Sequence, residues 1–120
     1  MKLHHNGIIV SNMEKALNMF CNILGMKLIL RRKSQGENIE IAFVEETKTG
    51  HRLELLLRNE DNGKMDHIAY EVEDVDKKFN ELKTKKEFIV EKEPFMISAD
   101  TRSAFLIDNN GFKIQLVKYL

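Results

Sequence analysis

Apolar and polar positions along the chain follow one plan, written twice. The opening run "KLHHNGIIV" predicts a strand that becomes apolar toward its end. Met13, Ala16, Leu17, Phe20, Cys21 and Leu24 then recur at the spacing of one helical face. Ser11 followed by Glu14 reads as a capping box, which predicts a helix starting just after Ser11. Gly25 stands where such a helix ends. Three strand-like runs follow, "MKLILRRK", "NIEIAFVEE" and "HRLELLLR", separated by the turn sequences "SQGEN" and "TKTG".

The second half repeats the plan. "MDHIAYEVEDVDKKFNELK" reads as a strand, a cap at Asp74, and a helix with Val75, Phe79 and Leu82 on one face. Adding 62 to Met13, Leu17 and Phe20 gives these three residues, and the same offset carries His5 onto His67 and Val10 onto Val72. Next come "EFIVEKE", then "RSAFLID" and "FKIQLVKY" around a "DNNG" turn. The segment "EPFMISADT" holds the only proline and reads as a loop. The expected fold is α+β: one domain over 1–120, built from two tandem βαβββ modules as pseudo-repeats 1–58 and 64–120. The polar linker "NEDNGK" joins the halves. Helices on one side of curved mixed sheets would leave a concave site on the other.

Composition narrows the function classes. An apolar fraction of 42% is ordinary for a folded core, and 120 residues suit a single domain. Lys plus Arg and Asp plus Glu are equal at 19 each, so no net field draws the chain to nucleic acid or an anionic membrane. No apolar run is long enough to span a bilayer, and no secretory signal is read at the N-terminus. Cys21 is the single cysteine; on its helical face it reads as a core side chain, and the absence of a disulfide partner fits a reducing cytoplasm.

The repeat also pairs polar residues. His5 and His67 are equivalent in the first strands, and Glu54 in "RLELLL" is equivalent to Gln115 in "KIQLVK". The separations agree, 49 residues from His5 to Glu54 and 48 from His67 to Gln115. Packing about a local two-fold would bring two imidazoles, a carboxylate and an amide to one concavity. Those donors suit a borderline divalent ion, Zn²⁺, Ni²⁺ or Co²⁺. Glu54 interrupts leucines, and a carboxylate buried among them needs a hydrogen bond, an ion pair or a metal. The competing reading keeps the histidines as packing or surface residues and Glu54 as a solvated strand residue; spacing leaves both open. Neighbouring strand residues point to opposite faces, so at most one of His4 and His5 looks into a shared pocket.

With these residues in place, the chain resembles the vicinal oxygen chelate superfamily, the group of glyoxalase I and methylmalonyl-CoA epimerase. The matching segments are "HNGIIVSNMEKALNMFCNILGMKL", "LELL", "DHIAYEVEDVD" and "RSAFLIDNNGFKIQLV", spread over essentially the whole chain and in the family order. The resemblance implies that His5, Glu54, His67 and position 115 hold one divalent metal, and it selects His5 over His4. It also implies a small α-oxo substrate or its thiol hemithioacetal, a lactoylglutathione lyase type of reaction, a thiol cosubstrate, and a homodimer. Arg102 lies where relatives often hold a substrate-facing arginine, and Phe105 and Phe43 are candidates to line the pocket. One position departs from the pattern. Most metal-binding relatives carry Glu where this chain has Gln115, and an amide has no lone pair of useful basicity. Glu54 is then the only carboxylate of the four and the candidate catalytic base. Two alternatives stand beside this reading: an epimerase acting next to a thioester, and a non-catalytic small-molecule or antibiotic-binding member of the superfamily.

Overall fold

A computed structural model describes residues 1–34, 39–61 and 63–120. All but Ser34 of the "SQGEN" turn lies outside the described residues, as does Asn62 of the linker. The first module is β1 (Lys2–Val10), α1 (Met13–Leu17), β2 (Lys27–Lys33), β3 (Glu40–Glu45) and β4 (Arg52–Leu57). The second is β5 (Met65–Glu71), α2 (Val75–Leu82), β6 (Phe88–Ser98), β7 (Thr101–Asp108) and β8 (Lys113–Tyr119). The fold is therefore α+β with two tandem βαβββ modules. Strand order is β2-β3-β4-β1 in the first and β5-β8-β7-β6 in the second, the same arrangement reached twice. Each sheet is mixed: β1/β4 and β5/β8 are parallel, and the other pairs within each module are antiparallel. By packing, the chain gathers into two compact units, His5–Asp66 and His67–Leu120 together with Met1–His4.

In the first unit Val10, Met13, Ala42, Val44 and Leu55 form the core, with Ala16, Leu17, Phe20 and Cys21 packed against it. The helix begins one residue later than Ser11 predicts. Asn12 is extended (φ −145°, ψ 107°) and its Oδ1 accepts the N–H of Lys15 at 2.9 Å, so Asn12 is the cap. The third helical position is then Lys15, and Glu14, freed from a capping box, pairs with Arg31. After Leu17 the turn widens to a π-helix over Asn18–Ile23, with the Leu24 N–H bonded to the Met19 carbonyl. Leu24, expected on the apolar face, is exposed. Gly25 at φ +79° closes the helix, its N–H bonded to the Cys21 carbonyl.

In the second unit Val72, Val75, Phe79, Ala104, Leu106 and Leu116 form the core, with Leu82 and Phe88 beside them. Asp74 caps α2 as expected, its Oδ1 accepting the Lys77 N–H at 3.0 Å. The loop reading of "EPFMISADT" is corrected: β6 runs through Pro94 to Ser98. Proline is tolerated there because β6 pairs on one side, with β7, and its register shifts between Lys92 and Phe95, leaving Pro94 outside the paired positions.

Candidate functional site

Period-two alternation sets the polar residues on the face opposite each helix. In β4, Leu53, Leu55 and Leu57 pack toward the α1 core, which forces Glu54 to the other side. Gly7 of β1 and Phe43 of β3 are its register partners. A glycine beside Glu54 leaves that flank of the carboxylate clear. His5, two residues before Gly7, shares this face. Its Nε2 stands 3.5 Å from Glu54 Oε1, and the two side chains are only 2% and 13% exposed. Phe43 meets the imidazole edge-on, with ring centres 4.9 Å apart and planes at 89°. His4 points the other way and is half-buried, its ring centre 5.0 Å from that of Tyr119.

The second module repeats this face. Ala69 and Phe105 are the register partners of Gln115, and the offset of 62 carries Gly7 to Ala69 and Phe43 to Phe105. His67, two residues before Ala69, is buried and meets Phe105 edge-on at 6.4 Å. Gln115 is buried as well, and its Nε2 donates to Ser103 Oγ at 2.9 Å. Phe105 is thus a neighbour of both His67 and Gln115, the position expected of a site-lining residue.

Arg102, expected against a substrate, has a different surrounding. It alternates with Ser103 and shares the α2 side of β7 with Ala104 and Leu106. Its Nε and Nη2 donate to the two carboxylate oxygens of Asp76 at 2.6 and 2.7 Å. That bidentate bond holds the Asp76 carboxyl below its ordinary value and raises the guanidinium further. Arg102 therefore ties β7 to the first turn of α2.

His5, Glu54 and His67 are a set of donors able to hold a metal ion. The chemistry of the set fits a divalent ion of borderline softness: two imidazole nitrogens and a carboxylate, with the amide oxygen of Gln115 as a neutral fourth. The spacing within the first module fits too. Two donors each about 2.1 Å from one ion, at a tetrahedral angle, stand roughly 3.4 Å apart. The 3.5 Å between His5 and Glu54 is close to that. Ser103 was not among the residues singled out by sequence. The signal for it was its parity with Phe105, which puts a lone hydroxyl on the site face of β7. Among the described residues, no helix is long and apolar enough to cross a membrane.

Residues 4–105 match the Glyoxalase/Bleomycin resistance protein/Dioxygenase superfamily. A lactoylglutathione lyase of Neisseria meningitidis serogroup A is 31% identical, over 98% of this chain and 91% of that protein. A probable lactoylglutathione lyase of Synechocystis is 30% identical, over 98% of this chain and 95% of its own. Among solved structures, a methylmalonyl-CoA epimerase from Mycobacterium tuberculosis superposes with a TM-score of 0.81 at 21% identity, covering 99% of this chain and 88% of that one. A hypothetical protein from Bacillus halodurans gives 0.79 at 23%, covering 99% and 94%. At these identities the structures speak for the fold.

Proposed function

Because the chain belongs to the glyoxalase/bleomycin resistance protein/dioxygenase superfamily, we propose that it is a cytoplasmic, homodimeric, metal-dependent isomerase of the lactoylglutathione lyase type. Its substrate is the hemithioacetal formed by a small α-oxo aldehyde and a thiol. The observation that carries the reading is the buried imidazole–carboxylate pair of His5 and Glu54, on a strand face whose counterpart in the second module bears His67 and Gln115. The 30–31% identity to proteins named lactoylglutathione lyase supports the reaction class.

In this reading His5, Glu54, His67 and Gln115 hold one divalent ion. When bound, the ion supplies a Lewis acid that eases loss of a proton beside a carbonyl. Glu54 takes the proton from the sulfur-bearing carbon, and the neighbouring carbon regains one, so the product is an α-hydroxy thioester and no redox partner is needed. Phe43 and Phe105 border the imidazoles and keep water from the reacting carbons. Gln115 offers an oxygen without basicity, leaving proton transfer to Glu54.

Gln115 is also what favours a second reading, a binding member of the superfamily that converts nothing. One experiment separates them. Protein prepared without chelator is loaded with Ni²⁺, Co²⁺ or Zn²⁺, its metal content measured, and thioester formation followed with methylglyoxal and glutathione or other thiols. About one ion per chain with turnover supports the isomerase. Metal uptake without turnover on any thiol favours the binder or an epimerase, and no uptake overturns the metal site.

A further inference from the structure

Gln115 poses a problem that a glutamate there would not. A carboxylate presents an oxygen whichever way it turns, whereas an amide presents either a carbonyl oxygen or an NH₂ group, and only the oxygen can bind a cation. We infer that Ser103 is the positioning residue that fixes the amide of Gln115 with Oε1 toward the metal position. The inference rests on the metal-binding reading above and deepens it.

The geometry is local to the second module. Ser103 and Phe105 lie two apart on β7, Phe105 is the direct register partner of Gln115 on β8, and all three share the face away from α2. Ser103 is fully buried, and its Oγ accepts the Gln115 Nε2–H at 2.9 Å. That bond occupies the nitrogen end, so the oxygen end turns away from Ser103. Reversing the amide would set a carbonyl oxygen against Ser103 and aim two N–H donors at the place a cation would take. The equivalent of Ser103 in the first module is Ile41, found by subtracting 62. There the ligand position is Glu54, whose two oxygens need no such steering. The hydroxyl thus occurs in the module that has the amide and is missing from the module that has the acid.

The test uses the full-length protein and Co²⁺, whose visible absorption reports ligand identity as well as binding. Ser103→Ala should weaken Co²⁺ affinity by about 10–100-fold, the usual effect of losing an outer partner of a ligand, and should alter the absorption bands. Ser103→Thr keeps the hydroxyl and should bind like wild type, which also controls for folding at this buried position. In a Gln115→Glu background Ser103→Ala should cost much less, since either carboxylate oxygen serves. Wild type that binds while Ser103→Ala, folded by circular dichroism, binds equally with the same bands overturns this inference alone. An equal penalty in both backgrounds also overturns it, because it marks a packing effect. Wild type that binds no Co²⁺ overturns both this inference and the metal reading beneath it.

Discussion

Glu54 is asked for two things, an oxygen for the metal and a base for the proton, and one substitution separates them. Glu54→Gln keeps an oxygen of similar reach and removes the basic carboxylate. Turnover should fall by about 10²–10⁴-fold, the usual worth of a general base, while a measurable share of metal is retained. Steady-state kinetics normalised to metal content reads this directly, and near-normal kcat in the variant would move the base elsewhere. Much of this chemistry was legible from one residue's oddness: a carboxylate among leucines in "LELLL". Strand alternation accounts for it, since Leu53, Leu55 and Leu57 face the core while Glu54 faces His5. Ser103 was not legible, because a serine in a strand looks like any other until its register partner is known.

Among the elements, the two helices meet their sheets differently. Helix α2 is pinned by a capped start at Asp74 and by the bidentate bond from Arg102 of β7 to Asp76. The hydrogen bond from Arg102 lowers the Asp76 carboxyl from its ordinary value of 3.8. A group whose folded pKa is depressed contributes stability that is present above its unfolded pKa and lost as pH falls through the folded one. Asp76 is half exposed, so the contribution is small. Asp76→Asn should therefore lower the melting temperature slightly at pH 7, with the gap to wild type closing as pH drops below about 4. A gap that stays constant down to pH 2 would mean the loss comes from packing. The strands and both helices followed from periodicity, and the repeat offset aligned both cores. The cap at Asn12, the π-helical stretch and the strand through Pro94 did not follow. Each depends on which of two adjacent polar residues turns extended, or on a bulge, and period counting is blind to both.

At the scale of the whole molecule, the surface of the first module argues for a partner. Strand β2 lies at the end of its module's strand order, and Leu28, Ile29 and Leu30 on it are all exposed. Met19, Ile23 and Leu24 from the preceding helical segment are exposed too. An outer strand with apolar side chains invites association, and native proteins usually cover one or charge it. This one is charged only at its ends: Lys27 before the leucines, and Arg31, Arg32 and Lys33 after them. Arg31 is already neutralised by Glu14 and Glu40. A second copy of the chain covers such a surface most simply, since a symmetric pair closes. The two forces have opposite salt dependence. Apolar burial favours the dimer at all ionic strengths, whereas Lys27, Arg32 and Lys33 on two approaching copies repel and are screened as salt rises. Light scattering at micromolar concentration should therefore give a dimer mass, with the dissociation constant falling from 20 mM toward about 0.5 M salt. Ile29→Lys should shift the equilibrium to monomer without loss of secondary structure. A wild-type monomer at every ionic strength, or an Ile29→Lys variant as dimeric as wild type, would leave this strand without a partner and place any association elsewhere on the surface.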